Sequence, residues 1–305
     1  MSDETDDSAA PFRAGFVSLS GRANVGKSTL LNHLVGTKVS IVSPVAQTTR
    51  VVIRAVSRLP GSEIVYLDTP GIHKPEFRMN REMVQRARQV LSEVDLAAML
   101  IEGPEGFGPG DAYVTQLLKE SGTPALLVIN KIDAMPRNRL LPLIAEASAK
   151  HPWEEIIPCS ALTGEGCEVI VPAISRRLPP GEPLFPEEFL SDLPEYLAVA
   201  ELIREQVLVR TRQEVPHSVA VMVEKMETTP QGDRRIEATL LVERDSQKGI
   251  LIGRGGEMLK AIGQSARAGI ASALGTEVHL FLQVKVRKRW RDDPAILRLL
   301  GIVAE

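Results

Sequence analysis

Between residues 13 and 178 short apolar runs alternate with amphipathic stretches. Residues 16–19 predict a strand, and 27–35 a helix directly after it. Residues 51–57 and 63–67 predict two paired strands around Pro60-Gly61. Residues 96–101 and 125–129 are nearly continuous in apolar side chains, as in strands buried on both faces of a parallel sheet. A further strand is expected over 155–157. Helical spacing over 80–93, 111–121, 138–149 and 168–177 separates these runs. The alternation predicts an α/β domain of three layers with a mostly parallel sheet. Residues 179–194 are proline-rich and predict an irregular linker, because proline lacks a backbone donor and restricts its neighbour. Beyond it the order changes. A helix is predicted over 195–209, a hairpin over 218–226 and 235–242, short helical turns over 247–252, an amphipathic helix over 258–274 and a strand over 278–286. The expected organisation is a disordered tail (1–12), an α/β domain (13–178), the linker (179–194) and an α+β domain (195–305).

Composition supports two globular domains without narrowing their chemistry. The chain has 305 residues, 44% hydrophobic and 25% charged, with a net charge of −3. Residues 1–194 carry 19 Lys and Arg against 24 Asp and Glu, and residues 195–305 carry 17 against 15. The second domain is therefore the better partner for a polyanion. Cys159 and Cys167 form no C-x-x-C pair and no disulfide framework, so a reducing cytoplasm is expected. The start, Met1 to Ala10, is acidic and unlike a signal peptide. No apolar run reaches the roughly 20 residues of a membrane span.

Four motifs then stand in order. Gly21-Arg22-Ala23-Asn24-Val25-Gly26-Lys27-Ser28 fits the phosphate loop G-x-x-x-x-G-K-[ST]. Glycines let such a loop bend until its N–H groups and the following helix N-terminus face phosphate. Lys27 is expected on the β- and γ-phosphates, and the Ser28 hydroxyl on Mg²⁺, with Thr29 next to it. Asp68-Thr69-Pro70-Gly71 follows a strand, where Asp68 reaches the magnesium and the Gly71 N–H meets the γ-phosphate. Asn130-Lys131-Ile132-Asp133 decides the base. The Asp133 carboxylate accepts both donors on the edge of guanine, and adenine would leave it unpaired. Lys131 is expected along the base plane, and Ser160-Ala161 offers a backbone N–H to guanine O6. Thr48 and Thr49 are both available for Mg²⁺ when the γ-phosphate is present, with Thr49 preferred beside the strand start.

The second domain has the α-β-β-α-α-β order of a type II KH domain, with Gly253-Arg254-Gly255-Gly256 between its second and third helices. KH domains clamp about four nucleotides along such a loop. Arg254 is expected on phosphate, Lys248 and Lys260 nearby, and Ile250 and Ile252 along an apolar groove. Lys285, Arg287, Lys288, Arg289 and Arg291 surround Trp290. This cluster either holds RNA backbone with Trp290 stacked on a base, or is a basic strand end with Trp290 in the core, or faces a membrane surface.

The phosphate loop, Gln47-Thr48-Thr49-Arg50, Asp68-Thr69-Pro70-Gly71-Ile72-His73, the segment from Gln247 to Gly256, and the ending from Val284 to Gly301 resemble the Era branch of the bacterial translation-factor-related GTPases. The resemblance spans nearly the whole chain. It implies a ribosome-assembly GTPase acting on the 30S subunit, binding the 3′ end of 16S rRNA, with peripheral association to the inner membrane; a monomer is expected. Ala23 departs from the family's usual proline, and Cys159 from its usual apolar residue. Signalling GTPases place a glutamine where this chain has Ile72, which cannot orient water. Slow, K⁺-stimulated hydrolysis with Asn24 as a K⁺ ligand is therefore expected, and His73 is either a base or a solvated loop side chain. Two other readings compete: a GTP-gated binding module reset by slow hydrolysis, and a membrane-associated switch whose KH domain docks protein.

Overall fold

The computed structural model describes residues 11–303 except 44, 46, 47 and 73–76. The acidic start, Gln47 and His73, read above, lie outside the described residues.

The first domain is built on a six-stranded sheet: β1 (Arg13–Ser20), β2 (Ile53–Leu59), β3 (Ser62–Asp68), β4 (Leu96–Glu102), β5 (Ala125–Asn130) and β6 (Ile156–Pro158), in the order β2-β3-β1-β4-β5-β6. Only β2 and β3 pair antiparallel, through the turn at Pro60-Gly61. Every residue of β5 is buried and all of β4 but its last, Glu102, as the nearly continuous apolar runs predict; every residue of β3 is buried too. Helices α1 (Lys27–Val35), α2 (Arg78–Glu93), α3 (Pro109–Ser121), α4 (Leu140–Ser148) and α5 (Ile170–Ser175) cover the two faces. Two apolar clusters result, one containing Leu30, Leu100 and Ile170, the other Leu91, Val114 and Leu143. In parallel sheets ligands gather at the carboxyl ends of the strands. Ser20, Asp68, Glu102 and Asn130 end β1, β3, β4 and β5 on that edge.

The proline-rich stretch contains no helix or multi-residue strand, yet it is docked. Val56 donates its N–H to Leu190 O at 3.0 Å, and Arg54 donates to Asp192 at 2.9 Å. It thus covers part of the β2 edge, which would otherwise expose unpaired backbone groups.

The second domain runs α6 (Glu195–Arg210), α7 (Val215–Ser218), β7 (Ala220–Thr228), β8 (Arg234–Val242), α8 (Asp245–Ile252), α9 (Glu257–Leu274), β9 (Val278–Val286) and α10 (Pro294–Leu299). β7 and β8 are antiparallel and β8 and β9 parallel. The short α7 and the closing α10 were not predicted. Trp290 is fully buried, and its indole donates to Ser218 O at 2.9 Å. It joins Met79 and Met83 of α2 to Leu241 and Leu297, so one apolar cluster spans both domains. This corrects the expectation of base stacking: the ring has no free face, because its area is spent on the domain junction.

Candidate functional site

Lys27 opens α1, and Gly26 before it has φ 97°. A Cβ there would lie 2.2 Å from the Asn130 amide, so only glycine fits. That amide donates to Val25 O at 2.8 Å, and its oxygen accepts the Ala161 N–H at 2.9 Å. One side chain thereby ties the phosphate loop, the base-selecting motif and the Ser160-Ala161 loop together. Its oxygen also accepts from the Cys159 thiol at 3.7 Å, which gives this cysteine a supporting place in the site. Cys167 is buried beside it. Motif spacing alone does not disclose the brace; it appears only when β1 and β5 carry their loops to one edge.

Around Ser28 three distant segments converge. Its hydroxyl donates to Asp68 Oδ2 at 2.8 Å and lies 2.8 Å from the Thr49 hydroxyl. Thr49 and Ser40 also donate to Asp68 Oδ2, at 3.2 and 3.1 Å. Thr48 instead bonds Ser43 and Val45 O. Ser40 was missed by the sequence reading; Asn32 holds its loop by accepting the N–H of Val39 and Ser40, both at 2.9 Å. Asp68 Oδ1 is buried with no hydrogen-bond partner. An orphaned carboxylate oxygen beside two hydroxyls is a hard-oxygen donor set that fits Mg²⁺. Burial pushes the Asp68 carboxyl up, against Lys27 and the three hydroxyls. Burial lowers Lys27 to about 8, against Asp68. The ammonium rests on Gly21 O and Arg22 O at 3.2 and 3.0 Å. Burial outweighs their mutual attraction in both groups, as in a site awaiting phosphate and metal.

The cavity beside them measures about 700 Å³. Ala23, Asn24, Thr29, Gly71 and Lys131 line it, with Asp133 at the far end. Asp133 is exposed and bonds no described residue, leaving both oxygens for a ligand. A Cβ on Gly71 would lie 2.9 Å from Ala23 Cα, so the second loop approaches the first closely. The Thr69 hydroxyl turns away to Leu19 O at 2.8 Å, Pro70 is buried, and Ile72 is packed in the core. Leu162, Glu102 and Glu105 also line the cavity and were not anticipated.

The second domain grips the segments that flank this cavity. Arg204 donates to Thr48 O, and Glu205 accepts the Val42 N–H at 3.0 Å and pairs with Lys38 at 2.6 Å. Arg50 donates to Val219 O at 2.7 Å with its guanidinium over Trp290. Burial lowers Arg50 to about 9. At the start of α2, Arg78 donates its N–H to Asp292, and Arg291 stacks on Phe77.

The nucleic-acid face differs in detail from the reading above. Gly253, Gly255 and Gly256 all have positive φ, and Arg254 is exposed. The groove beside them, about 460 Å³, lies between α9 and β9 and is lined by Leu259, Lys260, Gly263, Gln264, Leu280 and Leu282 among others. Ile250 and Ile252 do not line it. Ile250 is exposed on α8, and Ile252 packs against the domain core. The groove residues carry their own signal: Leu280 and Leu282 share one face of β9, and Gly263 lies within α9 where a Cβ would come 3.5 Å from Leu282 Cδ1. Lys248, Arg254, Lys260 and Arg267 carry no ion pair among the described residues. The basic cluster is less bare than its count implied. Lys285 pairs with Glu224 at 3.2 Å, Arg287 with Asp293 at 3.0 Å, Arg289 with Asp292 at 3.5 Å, and Arg291 with Glu243; Lys288 has no ion pair among the described residues.

Comparison with known proteins agrees with both halves. Residues 16–131 match the family described as 50S ribosome-binding GTPase, and residues 214–291 the KH domain. The GTPase Era of Heliobacterium modesticaldum is 46% identical over 95% of this chain and 97% of its own. That of Lacticaseibacillus paracasei is 46% identical over 94% and 96%. A crystal structure of Era in complex with MgGDPNP and nucleotides 1506–1542 of 16S ribosomal RNA superposes with a TM-score of 0.93, at 42% identity, covering 96% of this chain and 99% of that one. Aquifex aeolicus Era with a tyrosine-to-alanine substitution, bound to GDP and AlF4⁻, gives 0.92 at the same identity, covering 96% and 100%. The phosphate loop, the guanine-type motif and the KH order recur in one chain, and the chain belongs to the Era family of GTPases.

Proposed function

We propose that this protein binds and hydrolyses GTP in the cavity between Lys27 and Asp133, and uses its KH groove to hold the 3′ end of 16S rRNA during assembly of the small ribosomal subunit. The observation that carries the reading is the meeting of Ser28, Thr49 and Asp68, with Asp133 lining the same cavity and bonded to no described residue. Ser28 and Thr49 would hold Mg²⁺, with Asp68 beside them; the ion would screen phosphate charge and orient the terminal phosphate. Lys27 leaves the carbonyls of Gly21 and Arg22 for phosphate oxygens, and the N–H groups from Gly21 to Thr29, together with the N-terminus of α1, face the same charge. Asp133 takes the two guanine donors, Lys131 lies along the ring, and the Ala161 loop meets O6. Buried Ile72 leaves water orientation to backbone and other groups around Gly71. Hydrolysis is therefore slow, and exposed Asn24 serves a K⁺ ion; equal rates in Na⁺ and K⁺ would remove that part.

RNA bases enter the α9–β9 groove while Gly253 to Gly256 press on the backbone, with Arg254, Lys248 and Lys260 on phosphates. The cations at 285, 287 and 289 keep carboxylate partners, so this face favours neither a membrane nor RNA as strongly as the unpaired set does. No described helix is long and apolar enough to cross a membrane. We take the protein to act as a cytoplasmic monomer, with contact to the inner membrane, if made, at its surface. The test is anisotropy of a labelled 3′-terminal 16S rRNA segment with a non-hydrolysable GTP analogue, with GDP and without nucleotide. Saturable binding that depends on the nucleotide supports the reading; equal affinity for an unrelated RNA of the same length contradicts it.

A further inference from the structure

Glu102 belongs to none of the recognised motifs, yet its carboxylate stands between two of them. It ends β4, directly opposite Asn130 in the ladder to β5. The next residue, Gly103, donates to Asn130 O at 2.8 Å, so the backbone position is fixed. Glu102 Oε1 lies 2.5 Å from Lys131 Nζ, and Oε2 lies 3.6 Å from Arg22 Nη2. The carboxylate is 14% exposed and lines the nucleotide cavity. Glu105 shares Arg22 Nη2 with Glu102, at 2.7 Å, and Asp111 lies 3.3 Å from Arg22 Nε. Asp111 is fully buried and also accepts the Gly108 N–H at 2.9 Å, which anchors this end to α3.

Lys131 needs such support. It is one of four described non-glycine residues with positive φ, at 63°, which a lysine adopts only when its surroundings impose it. Its stem has four rotatable carbons, and without an anchor the ammonium would sample many rotamers. We infer that Glu102 is a positioning residue for guanine binding: it fixes the Lys131 ammonium so that the alkyl stem forms one wall of the base pocket, and through Arg22 it sets that wall relative to the phosphate loop.

The charge of Glu102 makes the inference easy to break. A carboxylate near bound phosphates that did nothing but repel them would weaken nucleotide binding, and neutralising it would tighten the complex. Positioning predicts the opposite sign. The inference rests on the guanine-nucleotide reading of the cavity, so wild-type protein is titrated first with fluorescent GDP and Mg²⁺; no binding there would end that reading rather than this one. Given wild-type binding, Glu102→Gln and Glu102→Ala are expected to weaken GDP about tenfold, and Glu102→Asp less. In a double-mutant cycle, Glu102→Ala added to Lys131→Ala is expected to cost little more than Lys131→Ala alone. Unchanged or tighter binding by Glu102→Gln would overturn the inference. So would additive losses in the cycle, which would mean that Glu102 supports the fold without acting through Lys131; thermal melts of each variant separate a folding defect from a loss of affinity.

Discussion

Asp68 is fully buried and accepts hydrogen bonds from three hydroxyls, whereas Arg254 and Lys260 stand in solvent and pair with no described carboxylate. The contrast separates two ways of holding a polyanion. Around Lys27 the protein has already removed water and set its polar groups in place, so each group interacts strongly and each loss is expensive. Along the KH groove the charges keep their hydration until RNA arrives, so individual contributions are small, similar and weakened by salt. Between the two regions lies Trp290, which packs against α2 beneath Arg50 and belongs to neither kind of site.

That joint gives the largest expected effect. Trp290→Ala removes a fully buried ring and should lower stability by about 3–5 kcal/mol in urea unfolding. RNA affinity should stay unchanged in the folded fraction; a variant of normal stability with weakened RNA binding at an unchanged salt slope would restore the stacking role. Next, Lys27→Ala should weaken GDP roughly a hundredfold in calorimetric titration, since it removes a desolvated cation from phosphate. RNA affinity without nucleotide should be unaltered. Gly253→Ala should act on the other region alone. Its Cβ would meet Met258 N at 2.8 Å at a φ of 74°, and RNA affinity by anisotropy should fall about tenfold while GDP binding holds. The smallest effect sharpens the comparison within the KH face. Lys260→Ala should reduce the slope of log affinity against log salt by about 0.7, and Lys285→Ala by less, because Glu224 already partners that ammonium.

The same contrast explains what could be read from residue order. In the proposed reading phosphate and guanine are gripped by contiguous runs, because backbone N–H groups and one or two adjacent side chains would do the binding. Lys27, Asp68 and Asp133 were therefore legible, and so was the preference for Thr49, although β2 begins only at Ile53 and not directly beside it. Ser40, Glu102 and the brace at Asn130 were not, or only in part: each acts through a contact made when separate strands bring their ends to one edge. The KH groove failed differently. Its loop is a short motif, but its walls come from α9 and β9, some 20 residues apart, so Ile250 and Ile252, the apolar residues nearest the loop, do not line that cavity. Trp290 was ambiguous because a tryptophan among cations looks the same in sequence whether it stacks on a base or seals a joint between domains.

The central claim is that the carboxylate at position 133 chooses the purine for a site built around Lys27. Paired titrations of wild-type and Asp133→Asn protein with GDP and with xanthosine diphosphate, in the presence of Mg²⁺, test it most directly. The account predicts that wild-type protein prefers GDP and that Asp133→Asn reverses the order, because the amide supplies a donor where xanthine carries an oxygen. A variant that still prefers GDP by the wild-type margin would contradict it.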